Sequence, residues 1–176
     1  MSSDPIRSDV PPFQQFWWLH DARWYQGVAK RFGQDAANEI NAEALKFVAR
    51  RVAAWCAQTY GIKLDPDLPL AEFLKSYEHV QHTMWPAGMM SVEHIVHSED
   101  EFETVVTDNF ALKMLRSAGS LEGYECPCLD MRAGWYEGVG ISVQDSCLEC
   151  ERTGGSACRF RAVVTRPTPS SAAESP

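Results

Sequence analysis

The placement of cysteine constrains this chain more than any other feature. Five of its six cysteines, Cys126, Cys128, Cys147, Cys150 and Cys158, fall within 33 of the 176 residues. They run C-x-C, eighteen residues, C-x-x-C, seven residues and a final Cys. Tetrahedral zinc takes four soft or borderline ligands from short hooks, and a turn carrying C-x-x-C makes such a hook. A metal there would also staple a loop-rich segment, because ligand binding becomes folding free energy. Five candidates compete for four positions. The expected set is Cys126, Cys128, Cys150 and Cys158, with Cys147 as the substitute. Two other readings fit the pattern: an iron–sulfur cluster or redox pair, and plain buried thiols.

The rest of the chain says where such a cluster would be stable. The N-terminal stretch from Met1 to Pro12 has no apolar leader, and no apolar run approaches a membrane span. The expectation is a cytoplasmic chain whose cysteines are thiols or metal ligands rather than disulfides. A net charge of −8, with 16 basic residues scattered among 24 acids, argues against nucleic acid and against acidic membrane surfaces as partners.

Residues 1–12 and 165–176, rich in Pro, Ser and Ala, are expected to be disordered, leaving one domain over 13–164. Phe13, Phe16, Trp17, His20, Trp24 and Val28 recur at helical spacing, with Gly33 as a stop. A second helix is expected from Gln34 to Tyr60, with Ile40, Ala44, Val48, Val52, Trp55, Cys56 and Tyr60 as its buried stripe. Cys56 then reads as a plain buried thiol. Leu70, Phe73, Leu74 and Tyr77 open a third helix after a Pro-rich turn. Segments 91–97 and 101–107 read as two strands joined at Ser98–Asp100. Asp108 suits the cap of a short helix, Gly134–Gly140 a turn, and 139–143 and 159–164 the last two strands. The expected fold is α+β, with helices first and a small antiparallel sheet after them.

Four of the five histidines, His79, His82, His94 and His97, lie within 19 residues as two H-x-x-H units. On a helix His79 and His82 share a face, whereas on a strand His94 and His97 point to opposite faces. Glu93 and Glu78 stand beside them as groups that orient an imidazole or act as a base. The apolar stretch from Met84 to Met90, with Trp85 in it, suits the wall of a pocket. The candidate ligand site is therefore His79, His82, Trp85, His94 and His97, and the catalytic candidates are His79, His82, His94 and Glu93. The plainer reading is exposed histidines beside core Met and Trp.

Two stretches carry family resemblances. His20-Asp-Ala-Arg-Trp-Tyr-Gln-Gly-Val-Ala-Lys-Arg-Phe-Gly33, followed by Ala36-Ala-Asn-Glu-Ile-Asn41, resembles the opening of L-2-amino-thiazoline-4-carboxylic acid hydrolase-like proteins. Cys150-Glu-Arg-Thr-Gly-Gly-Ser-Ala-Cys158-Arg-Phe160 is similar to the ending of 4-vinyl-reductase-type domains, which bind small molecules. The resemblance implies a zinc-stabilised α/β domain with a small-molecule pocket. Where the hydrolase-like pattern has Cys-Pro, this chain has Asp108-Asn109-Phe110, so no catalytic thiol is implied there.

Two functions follow as expectations. One is a zinc-stabilised small-molecule-binding domain, a sensor, carrier or accessory for an aromatic, heterocyclic or tetrapyrrole-like ligand. Such a domain works as a homodimer or through a partner protein. The other is a hydrolase of a small heterocyclic or amide-like metabolite, using metal-activated water or a histidine base. Neither H-E-x-x-H nor G-x-S-x-G is present.

Overall fold

The computed structural model describes residues 13–85 and 88–166. Expectations placed on 1–12, 86–87 and 167–176 lie outside the described residues. Three helices come first: α1 (Phe13–Phe32), α2 (Gln34–Tyr60) and α3 (Leu70–Met84). A hairpin of β1 (Ser91–Val96) and β2 (Glu101–Thr107) follows, then α4 (Phe110–Ser117) and α5 (Cys128–Val139). The chain returns through β3 (Ser142–Glu149), a single 3-10 turn at Glu151–Thr153, and β4 (Cys158–Thr165). All strand pairs are antiparallel in the order β1-β2-β4-β3, so β4 lies inside the sheet. The fold is α+β, as the residue pattern predicts.

Strand alternation gives the sheet two unlike faces. Phe102, Thr104, Cys158, Phe160, Ala162 and Val164 are buried on the inner face. Phe102, Ala162 and Val164 share a core with Phe73, Tyr77 and Val80 of α3 and with Trp135 and Tyr136 of α5. The outer face carries charge pairs instead. Arg161 grips Glu101 with two hydrogen bonds at 2.7 and 2.9 Å, and Arg159 bridges Glu103 and Glu149.

Several local expectations are corrected. Residues 134–140 are no turn, for they belong to α5, whose C-cap Gly140 takes φ 77°. Gly134 and Gly138 face α2 so closely that an added Cβ at Gly134 would lie 2.3 Å from the Lys46 carbonyl oxygen. At Gly138 it would lie 2.5 Å from that of Arg50. Glycine is therefore used here for helix contact. The third strand begins at Ser142 rather than 139 and runs on through Cys147, so Cys147-x-x-Cys150 is a strand end and not a turn hook. Asn109, not Asp108, caps α4, accepting a hydrogen bond from the Leu112 N–H at 3.3 Å.

The buried stripes of the first two helices are also corrected. Phe16, Trp17 and Trp24 of α1 are exposed, as are Ile40, Val48, Trp55 and Tyr60 of α2. The inward residues of α2 are small or polar, namely Ala37, Asn38, Asn41, Ala49, Ala53 and Cys56. Cys56 is fully buried, its thiol 3.4 Å from Thr83 Oγ1. At the other end, Thr165 and Arg166, expected in a disordered tail, belong to the fold. Thr165 closes β4, and the Arg166 guanidinium donates to the carbonyls of Pro66, Leu68 and Glu99 and to Asp100 Oδ1.

Candidate functional site: an apolar cleft walled by cysteines

A cleft of about 840 Å³, counting its open mouth, runs between α1, α2, α4 and the start of α5. Trp18, Ala22 and Tyr25 come from α1, Asn41 and Leu45 from α2, and Phe110 and Leu112 from α4. Tyr124, Cys126, Pro127, Cys128 and Met131 close the far side. The lining is almost wholly apolar. Adjoining it is a narrower chamber, lined among others by Gln81, Thr104, Arg132, Trp135, Cys158 and Phe160. Trp85, Met90, Asn109, Cys128 and Met131 line both spaces.

The polar groups around the cleft are mostly committed to one another. The Tyr25 hydroxyl donates to Asn38 Oδ1 at 2.6 Å and receives the Gln34 amide. Asn38 in turn donates to the Gly123 carbonyl at 2.8 Å and accepts from the Glu125 N–H at 3.1 Å. This buried asparagine thereby fixes the segment that leads into Cys126. The Tyr124 phenol bonds Asn41, and burial drives its pKa up. Arg132, 3% exposed, donates to both Asp145 carboxylate oxygens and to the Tyr136 hydroxyl at 2.5 Å. Asp21, at the cleft, has its pKa raised by burial.

Four of the five clustered cysteines meet at the far wall. The Cys126 and Cys128 sulfurs stand 2.8 Å apart, and Cys150 and Cys158 pack in the same cluster. The hydrogen bond with Cys128 holds the Cys126 pKa down and pushes that of Cys128 up, helped by burial. Burial pushes the Cys158 thiol up to about 12. Cys147 is exposed, its thiol turned to the Glu149 carbonyl at 3.4 Å. The donor set suits soft metals in kind and number. Its spacing does not yet match: thiolates about 2.3 Å from a tetrahedral zinc stand about 3.8 Å apart. Among the described residues, accordingly, no group of three or more His, Cys, Asp or Glu side chains forms a ready metal site. For both to bind one zinc, the Cys126 and Cys128 sulfurs would have to stand about 1 Å further apart.

The structure does not gather the histidines. His79 stacks on Tyr60 at 4.3 Å, His82 is exposed on α3, and His97 lies 3.5 Å from Glu103 on the outer side of the sheet. Glu93 is exposed, opposite Val105. Only His94 turns inward, where its Nδ1 meets Thr104 Oγ1 at 3.1 Å and its Nε2 meets the Gln81 amide. Of the expected ligand residues, Trp85 alone lines the cleft and the chamber, and Met90 of the expected apolar wall joins it. The contributions of α1, α2 and α4 were missed. Tyr25 and Asn41 were visible as polar residues among apolar ones, but nothing local says that they face one another across a cleft.

No family model matches the chain, and no curated protein is similar to it. Solved structures of similar fold exist at low identity. The phenol-responsive sensory domain of the transcription activator PoxR, with phenol, is 14% identical at a TM-score of 0.59, over 84% of this chain and 73% of that one. A trafficking protein particle complex subunit 3 from Naegleria fowleri, covalently bound to palmitic acid, is 12% identical at 0.51, over 88% and 96%. A protein studied for heme distortion in the H-NOX family is 14% identical at 0.50, over 94% and 79%. These likenesses define the class of fold.

Proposed function

We propose that this chain is a small-molecule-binding domain of the sensor, carrier or accessory kind, and that the helix-walled cleft is its site. The observation that carries the reading is the cleft itself, open at its mouth, almost wholly apolar and bordered by few uncommitted polar groups. The similar folds add support, because the PoxR domain holds phenol, the trafficking subunit palmitic acid, and the H-NOX protein heme. A hydrolase is the weaker reading. His94 has both ring nitrogens engaged, and His79, His82 and Glu93 line neither space.

The neutral fluorescent probe N-phenyl-1-naphthylamine tests the site. It should bind saturably at one molecule per chain, and Ala22→Trp, which fills the cleft from α1, should abolish that binding without unfolding the protein. Absence of saturable binding to the native chain would sink the proposal.

Zinc on Cys150, Cys158 and one or both of Cys126 and Cys128 belongs to the same proposal, as a staple of the cleft wall rather than a reaction centre. An iron–sulfur cluster is the alternative occupant of those thiols.

A further inference from the structure

Among the described residues, two buried side-chain polar atoms have no hydrogen-bond partner: the Tyr77 hydroxyl and Trp85 Nε1. Leaving such a group unpaired costs about 1–3 kcal/mol, so each asks for an explanation. Tyr77 lines neither the cleft nor the chamber, whereas Trp85, 7% exposed, lines both.

The neighbouring indoles sharpen the point. Trp18, in the cleft, donates to the Met84 carbonyl at 3.3 Å. Trp135, in the chamber, donates to Met84 Sδ at 2.9 Å. Trp85 lies stacked on Trp18 with ring centroids 4.2 Å apart and planes 10° from parallel, so its indole is held in place with its donor unused.

We propose that Trp85 is the specificity-determining residue of the cleft, and that its ligand is an uncharged aromatic compound whose oxygen accepts a hydrogen bond from the Trp85 Nε1–H. The inference rests on the reading of the cleft as a ligand site and names the chemistry that site selects. Aromatic walls from Trp18, Tyr25, Phe110 and Tyr124 favour a planar ring. An anion has no free counter-charge, because Arg132 is committed to Asp145 and Tyr136, and Asp21 borders the cleft. A buried unpaired charge is far more costly than a neutral acceptor that satisfies a waiting donor.

Acetophenone and cumene, alike in shape and differing in the carbonyl, separate the donor from the cavity. Trp85→Phe should weaken acetophenone about tenfold and cumene by less than about threefold, as a lost neutral hydrogen bond in a buried site predicts. In the native, ¹⁵N-labelled chain, the Trp85 indole N–H signal should move downfield with acetophenone and not with cumene. That second measurement decides the matter should the variant fold poorly. Equal weakening of both probes, or an indole signal unmoved by bound acetophenone, overturns the acceptor reading and leaves the cleft standing. Binding of neither probe to the native chain overturns the cleft reading, and this inference with it.

Discussion

His94 is the half-buried histidine between α3 and the sheet, edge-on to Phe102 at 5.6 Å. Burial, and secondarily the Arg132 charge, lower its pKa to about 4. Unfolded histidine titrates near 6.5, so between these values the unfolded chain binds a proton that the native chain refuses. Stability is therefore fully present above pH 6.5 and declines as pH falls toward 4, by on the order of 1.4 kcal/mol per pH unit at most. Below pH 4 the native chain takes the proton too, and this loss stops growing. His94→Gln keeps polar atoms near Gln81 and Thr104 without the titration. Urea unfolding at pH 7.5 and pH 5 should show a smaller difference in the variant than in the parent, and equal differences would show that His94 does not set the slope.

The contact of α2 with α5 is the element on which the cleft's far wall rests, because α5 begins at Cys128. Glycines at 134 and 138 let the backbones approach, against Ala49 and Ala53 on α2. In an open helix Gly→Ala stabilises by up to about 1 kcal/mol. Here the new methyl at 134 would meet the Lys46 carbonyl, and that oxygen has no freedom to move without α2. Gly134→Ala should therefore destabilise by about 1–3 kcal/mol, the cost of overpacking, and a gain in urea midpoint would contradict the close crossing.

The same helix shows what the residue pattern can reveal. The helices at 34–60 and 70–84 and the hairpin at 91–107 are legible because capping glycine, Pro-rich turns and β-branched runs mark them locally. The orientation of α2 is not legible. Its large residues, Ile40, Val48 and Trp55, look like a buried stripe, yet the contact with α5 demands alanine. Small residues give a weak hydrophobic signal while permitting the tightest approach. The Gly-rich stretch 134–140 was misread for the same reason, since its glycines answer to a partner helix 80 or more residues away in sequence. The site was partly legible: four cysteines and Trp85 lie at the cleft or its wall, while the histidines scatter because α3 and β1 turn them to different surfaces.

At the scale of the whole molecule, the cysteines bring three separated segments together: the entry to α5, the turn after β3 and the start of β4. A zinc at this junction would join the helical wall of the cleft to the sheet. Cys158→Ser should then lower zinc from about one per chain toward none and reduce the melting temperature, whereas Cys147→Ser should leave both nearly unchanged. Metal-free native protein after purification without chelator would end the zinc proposal. No helix among the described residues is long and apolar enough to cross a membrane.

The position of β4 also sets an order of events during synthesis. This strand follows all the others in sequence and still lies between β2 and β3, and the arginine after it closes loops near residues 66 and 100. While a ribosome is still making residues 158–166, β3 has no neighbour to pair with and β2 shows one bare edge. The helices and first hairpin can form early, but the sheet assembles only when its centre arrives. A message cut short before this point would yield a chain with unpaired strand edges on β2 and β3 and an open core, the kind of surface on which chaperones and proteases act.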